Sequence, residues 1–311
     1  MEQNLESTRI LAAAITKSAS KQTYYTILFL ADRNLAADAY RAYGYFRWVD
    51  DILDSKTICQ SISNQIEAAE KIAFVKRQRN LLEDCYRGEN PIDICSEEQI
   101  LVDLVRNDTG QNSGLRSYLH NMMGVMEFDI ERRGRLITQV ELADYSLMLA
   151  TSVTDALYHF IGHDEPPPPA DKRYLAVTAA HITHMLRDTQ EDIENAYFNV
   201  PAEYLRAHGI TQWDVTSPAY QDWVCSRVHL ARQYFDAGRE SLAQVKNLRR
   251  RLAGFAYMAR FEWMLRAIEK DNYCLRDEYR ERKGLKASLW MSWVVLTSMF
   301  APARPGRSAD F

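Results

Sequence analysis

Helix breakers are scarce in this chain. Only 12 glycines and 9 prolines occur in 311 residues, and four of the prolines are contiguous at 166–169. So few turn-formers cannot supply the many tight reversals that a sandwich or barrel of short strands needs. No stretch of useful length alternates apolar and polar residues as a strand would, and no internal repeat is visible. Neither GxGxxG nor GxxxxGK[ST] is present, which removes dinucleotide-binding and P-loop folds. The cysteines, Cys59, Cys85, Cys95, Cys225 and Cys274, are odd in number and never spaced CxxC. That argues against a disulfide framework or a zinc site and for a reducing, cytoplasmic setting. A formal net charge of −4 gives no case for nucleic acid as a partner. Residues 1–18 include Glu2 and Glu6 and lack a long apolar core, so no signal peptide is expected.

Long periodic stretches are what the chain does have. Helices are expected over 24–49 (one or two), 66–86, 115–133, 141–161, 171–195, 223–242 and 248–270. The expectation is an all-α protein. The proline run reads as a rigid connector between helices rather than a domain boundary, because acidic motifs on either side of it look like parts of one site. The chain is divided as an N-terminal segment at 1–18, a helical domain at 19–286, and an apolar C-terminal helix with a polar tail at 287–311. The stretch 285–301 carries Leu289, Trp290, Trp293, Val294, Val295, Leu296, Met299 and Phe300. It is shorter than the roughly 20 residues a spanning helix needs. Two readings stay open: a final core helix, or an interfacial helix preceded by Arg280, Arg282, Lys283 and Lys286 that makes peripheral membrane contact.

Two acidic units carry the most information. The first, Asp50-Asp51-Ile52-Leu53-Asp54, is entered through Arg47-Trp48-Val49, and the second, Asp188-Thr189-Gln190-Glu191-Asp192, through Arg187. Residues four apart lie on one helix face, so each unit presents two carboxylates in the same direction beside an arginine. Like charges at that spacing cost a helix a few tenths of a kcal/mol per pair (about 0.2–0.5). A divalent cation offsets that cost, and magnesium suits it, taking one or two carboxylates and filling its other positions with water and phosphate oxygens. A solvated acidic helix face is the plainer alternative for either unit alone.

From about residue 20 to 286 the chain resembles the squalene/phytoene synthase family of isoprenoid synthases. The first signature, a tyrosine and then Arg-x-x-Asp-Asp-x-x-Asp, is matched by Tyr43, Arg47, Asp50, Asp51 and Asp54. The second, Leu-Arg-Asp-x-x-Glu-Asp, is matched by Leu186, Arg187, Asp188, Glu191 and Asp192 and is followed by Pro201, Glu203 and Leu205. Asp129, Tyr145 and the spacing of Leu265 to Tyr273 are smaller echoes. The resemblance implies a single large helical bundle around a central apolar cavity, with Mg²⁺ held between the two aspartate-rich helices. It implies head-to-head condensation of two allylic prenyl diphosphates. Asp50, Asp54, Asp188 and Asp192 would hold metal, while Arg47 and Arg187 fork onto phosphate oxygens and Tyr43 donates a hydrogen bond to the departing group. Each arginine has a structural alternative, pairing with its neighbouring aspartates. Asp51, Thr23, Lys21 and His184 join the substrate-binding set. Tyr24, Tyr45, Phe46, Trp48 and Phe128 are candidates for steadying a carbocation, with plain core as the alternative for each.

Departures from the family pattern cluster in the second half of the site. His181 and His184 replace the usual glutamine and asparagine. A ligating His184 tilts the metal preference toward Mn²⁺. The loop after the second motif, Ala196-Tyr197-Phe198-Asn199-Val200-Pro201, lacks the family's arginine and a tyrosine. Ala150-Thr151 and Thr154 stand where the family carries glycine, and Phe261 stands for a tyrosine. Three activities remain open: head-to-head condensation, a single-substrate terpene synthase or unusual condensation on the same fold, and a non-catalytic relative acting as an assembly or binding module. Survival of all five motif aspartates speaks against the last. Prenyl chain length, use of NADPH and oligomeric state are not legible.

Overall fold

Helix-forming stretches run long because little interrupts them. In the computed structural model, which describes residues 2–54, 63–108, 110, 113–165, 171–279 and 285–300, they become twelve α-helices. These are α1 (Glu2–Ala19), α2 (Lys21–Leu30), α3 (Ala36–Asp54), α4 (Ser63–Tyr86), α5 (Ser96–Arg106), α6 (Gly114–Arg132), α7 (Gln139–Phe160), α8 (Leu175–Glu194), α9 (Ala202–His208), α10 (Pro218–Ala243), α11 (Leu248–Lys270) and α12 (Leu285–Phe300). A 3₁₀ turn at Asp171–Tyr174 leads into α8. Among the described residues there is no strand, and the fold is all-α. The proline run at 166–169 and the basic residues Arg280, Arg282 and Lys283 lie outside the described residues.

The stretch expected as one or two helices is two. Chain reversal at Asp32 separates α2 from α3. The Asp32 amide donates to the Phe160 carbonyl at 2.8 Å, and its carboxylate accepts from the His163 amide at 2.8 Å. Three helices were not anticipated. The buried stripe of α1 is Thr8, Ala12 and Thr16, correctly spaced for a helix but built of small and hydroxylated residues that a search for leucine and isoleucine passes over. In α5 apolar residues are buried all round, and in α9 the helix is only seven residues long.

Contacts divide the chain into two compact units. The first comprises Met1–Glu131 with Asp155–Asp164, and here α3 packs on α1 and α5. A buried polar network ties these three helices together. Arg41, 4% exposed, pairs with Asp38 at 2.7 Å and donates from Nε to the Thr8 hydroxyl at 3.2 Å. Thr8 in turn donates to Asp103 at 2.7 Å, and Asn107 donates to Asp38 at 3.0 Å. A buried charge is tolerated only when its hydrogen bonds are satisfied, so the network holds α3 in one register more than it adds stability. The second unit, Arg132–Thr154 with Glu165–Phe311, packs α8 against α10 and α11. Phe235, Phe255, Leu265 and Ala179 are wholly or almost wholly buried there.

Close approach of α1 and α3 depends on Gly44. A Cβ built there lies 2.9 Å from the Ala12 carbonyl oxygen and 3.0 Å from its Cα. Alanine gains up to about 1 kcal/mol of helix propensity, whereas overpacking against backbone costs roughly 1–3 kcal/mol. Gly44→Ala is therefore expected to destabilise the chain by about 1–2 kcal/mol in urea denaturation. A midpoint at or above wild type would show that α1 gives way freely.

Candidate active site

The first acidic motif is the C-terminal turn of α3, with Asp50, Asp51 and Asp54 and no basic residue in the last turn. A helix C-terminus carries partial negative charge, so anionic side chains there cost about 0.3–1 kcal/mol each where cations would be favoured. Arg47, one turn earlier, is drawn back onto the motif. Its Nη1 donates to Asp50 at 3.0 Å and its Nη2 pairs with Asp51, while its buried Nε has no partner. Burial pushes the Asp50 carboxyl from the usual 3.8 up to about 6, and the neighbouring charge of Asp54 adds to the rise. Arg47 opposes it, and Asp129, on α6, and Asp51 add smaller like-charge contributions. Tyr43, half-buried one turn before Arg47, acts on the Arg47 guanidinium and on Tyr118.

The second motif occupies the last two turns of α8, again with no basic residue in the last turn. Arg187 grips Asp188 with Nε at 2.5 Å and with Nη2, and the same Nη2 donates to His184 Nε2 at 2.6 Å. His184 Nε2 also lies 3.4 Å from Asp188, and the imidazole is half exposed. Asp192 accepts from Asn199 Nδ2 at 2.6 Å, and Asn199 accepts from Arg132 Nη1 at 2.8 Å. The Arg132 guanidinium is sandwiched against two rings, 4.9 Å from the centroid of Tyr145 and 4.8 Å from that of Tyr197. Tyr145 meets His181 edge to face at 5.0 Å.

His181 is buried, and that burial, with His184 and Arg132 adding to it, pushes its imidazole down to about 3. Its Nε2 has no hydrogen-bond partner, and neither has the buried Thr154 hydroxyl. A buried polar atom left unpaired costs about 1–3 kcal/mol, so each marks a place where a water or a ligand is needed. Both residues are departures from the family pattern.

Other sequence candidates fall in several settings. The Thr23 hydroxyl donates to the N-cap Ser20 at 2.9 Å in the first turn of α2, and Lys21 beside it is exposed. Tyr45 is fully buried with its hydroxyl donating to Gln78 at 2.9 Å, and Phe46 is buried edge-on to Tyr118; both are core. Trp48 meets Phe74 edge to face, Tyr24 carries Lys17 over its ring, and Phe128 is half-buried on α6. Thus Arg47, Asp50, Asp51, Asp54 and Asp129 interact in the first unit, and His184, Arg187 and Asp188 interact in the second. Arg132 and Asn199 were not anticipated, since neither lies within a motif. The one signal for Asn199 was its place in the loop that departs from the family pattern.

Among the described residues no three or more His, Cys, Asp or Glu side chains form a ready-made metal cage. The donors at each motif are instead paired carboxylates, crowded at the first motif by their own charge. That oxygen set fits a hard divalent cation that keeps waters and takes the rest of its shell from phosphate.

The solved squalene synthase HpnC from Alicyclobacillus acidocaldarius has a similar fold, with a TM-score of 0.67 at 18% identity, covering 88% of this chain and 97% of that one. A phytoene synthase from Thermus thermophilus is 28% identical over 176 residues, which is 55% of this chain. The chain spans a little over half the length of that relative, 57%. The squalene/phytoene synthase family model matches residues 16–290, and the chain belongs to that family.

Proposed function

We propose that the chain is a Mg²⁺-dependent prenyltransferase that ionises an allylic prenyl diphosphate and joins two such substrates head to head. The observation that carries this reading is the crowding of Asp50 by Asp54, Asp51 and Asp129 in a partly desolvated setting that a single arginine does not neutralise. Asp50, Asp54, Asp188 and Asp192 are the proposed metal ligands. Mg²⁺, when bound, neutralises diphosphate oxygens and stabilises the charge that builds as the C–O bond breaks. Arg47 and Arg187 are held by their own aspartates and offer planar donor forks that suit phosphate oxygens. Tyr43 donates a hydrogen bond to the leaving group. Thr23, Lys21, Asp51 and His184 complete the proposed binding set.

A single-substrate terpene synthase, or an unusual condensation, is the second reading. It is favoured by the unpaired His181 Nε2 and Thr154 hydroxyl, which put polar atoms where the family pattern has different residues. Incubation with farnesyl or geranylgeranyl diphosphate and Mg²⁺ should yield a dimeric hydrocarbon or its diphosphate precursor, whereas a monomeric terpene supports the second reading. Asp50→Ala and Asp54→Ala should each lower diphosphate release about a hundredfold or more with the helical circular dichroism intact. Retained turnover in Asp188→Asn would give the second motif a structural role. His184→Asn raises Mg²⁺-dependent turnover if the histidine is a loss and destroys it if the histidine is recruited.

Stability offers a test that does not need turnover. A carboxyl raised in the folded state opposes folding once it ionises, so the penalty is absent below the usual 3.8 and complete above about 6. Stability should therefore fall as pH rises through that window in wild type, and less so in Asp50→Asn, when both are measured by urea denaturation with chelator. The Asp50 side chain is 39% exposed, so solvent screening trims the difference. Added Mg²⁺ at neutral pH should stabilise wild type and do so less for Asp50→Asn. Identical pH curves would remove the charge-crowding argument.

The C-terminal helix is proposed to rest on a membrane surface. Among the described residues no helix is long and apolar enough to cross one. One face of α12 packs on α11, with Trp290 5.4 Å from Trp263 and Arg266 over its ring at 4.3 Å. Leu289, Trp293 and Leu296, spaced at helical intervals, are more than half exposed on the other. The full chain should float with anionic liposomes and a chain ending at Gly284 should not; equal failure to float removes the idea.

A further inference from the structure

A second candidate binding site lies in the second unit, away from the acidic face of α8. A cavity of about 320 Å³ opens between α7, α8 and α10. Its walls include Leu142, Leu147, Ile182, Leu186, Trp223 and Leu230. With 3.6 residues per helical turn, Ile182 and Leu186 point on average about a third of a turn or more away from His184, Asp188 and Asp192. The groove therefore does not belong to the motif described above. Leu147 on its rim is 57% exposed, which extends the apolar surface to solvent.

One cation interrupts this apolar lining. Arg227, from α10, lines the cavity, its Nε is buried, and that nitrogen has no hydrogen-bond partner. Among the described residues no carboxylate pairs with it. Burial lowers its guanidinium below the usual arginine range, and Tyr234, also on the cavity wall, is the one group that acts the other way. Its neighbours on the same helix are placed differently, since Arg232 has Glu269 and Arg239 has Glu262. A partly desolvated guanidinium without a counter-ion is costly, and its donor fork matches a carboxylate or phosphate.

We propose that this groove binds an anionic amphiphile, with a carboxylate or phosphate head on Arg227 and an alkyl or prenyl tail along Leu142, Ile182, Leu186 and Leu230. A cavity of this volume lies at the small end of ligand pockets, about 300–1,000 Å³. The site is independent of the proposed condensation and is read without turnover.

Calorimetry on the full chain, with dodecanoate and dodecyl phosphate as probes below their micelle concentrations, tests it. Saturable one-to-one binding of at least one anion is expected, with the stronger of the two naming the head group, and no binding of dodecyltrimethylammonium. Arg227→Met should weaken binding about tenfold or more, with Arg227→Gln as the second variant should the first fail to fold. Leu230→Trp, which fills the groove, should abolish it. Inorganic diphosphate with Mg²⁺ should not displace the bound anion. The proposal is overturned by absence of saturable binding, by equal binding of the cationic amphiphile, or by unchanged affinity in folded Arg227 variants. Displacement by diphosphate and Mg²⁺ also overturns it, since it assigns the binding to the acidic motifs. So does self-association that Leu230→Trp abolishes, which makes the groove a contact between copies of the chain.

Discussion

Carboxylates crowd the C-terminal ends of α3 and α8, the negative pole of each helix dipole. Helices ordinarily place lysine or arginine there. Both these helices do the reverse, and each sets one arginine a turn or less before its carboxylates instead. Arg47 spreads over Asp50 and Asp51, and Arg187 over Asp188 and His184. One guanidinium against several carboxylates leaves a negative surplus, which adds to burial in holding the Asp50 carboxyl well above its ordinary range. The arrangement works against folding in the free chain and in favour of any ligand that brings positive charge to those turns. The buried network of Arg41, Asp38, Thr8 and Asp103 in the same unit ties down α3, the helix that carries the first of these turns.

The second motif has a support in the loop that follows it. The loop after α8 turns back at Ala196, a non-glycine residue at φ 64°, and its carbonyl accepts from the Gly134 amide at 2.8 Å. Tyr197 then bonds back to the Asp192 carbonyl at 2.7 Å. This brings Asn199 onto the Asp192 carboxylate and sets Arg132 behind it. The family's arginine is missing from this loop, but a guanidinium stands next to it, contributed by the end of α6 and steadied by two aromatic faces. A positive charge supplied from elsewhere in the chain is invisible to any comparison made position by position.

That contrast shows how far the sequence reads. Long helices such as α8, α10 and α11 were legible because leucine, isoleucine and aromatic residues recur at helical spacing with few breakers. The α1 helix was not, because Thr8, Ala12 and Thr16 bury hydroxyls and methyls rather than large side chains. Motif residues were legible as a spacing of charge. The pairing of each arginine with its neighbouring aspartates was legible as an alternative, and it is what Arg47 and Arg187 do; which carboxylate each takes was not, since an arginine beside several aspartates has rotamers that sequence does not rank. Arg227 carried no signal at all: the mostly apolar cavity that it lines with residues of α7 and α8 exists only after folding.

His184 bears on which metal the site suits. A histidine nitrogen among the donors would favour a transition metal over magnesium. In this arrangement Nε2 receives a hydrogen bond from Arg187 at 2.6 Å, closer than its 3.4 Å approach to Asp188. Accepting from a guanidinium requires a lone pair on Nε2, which assigns the ring proton to Nδ1. A protonated Nε2 facing Asp188 is incompatible with that bond, so the shorter contact decides between them. The lone pair is then occupied, and coordination through Nε2 would first cost Arg187 a partner. Under the proposed function, that leaves carboxylate oxygen alone for a cation, the set that magnesium prefers, and His184 orients Arg187 instead of binding metal.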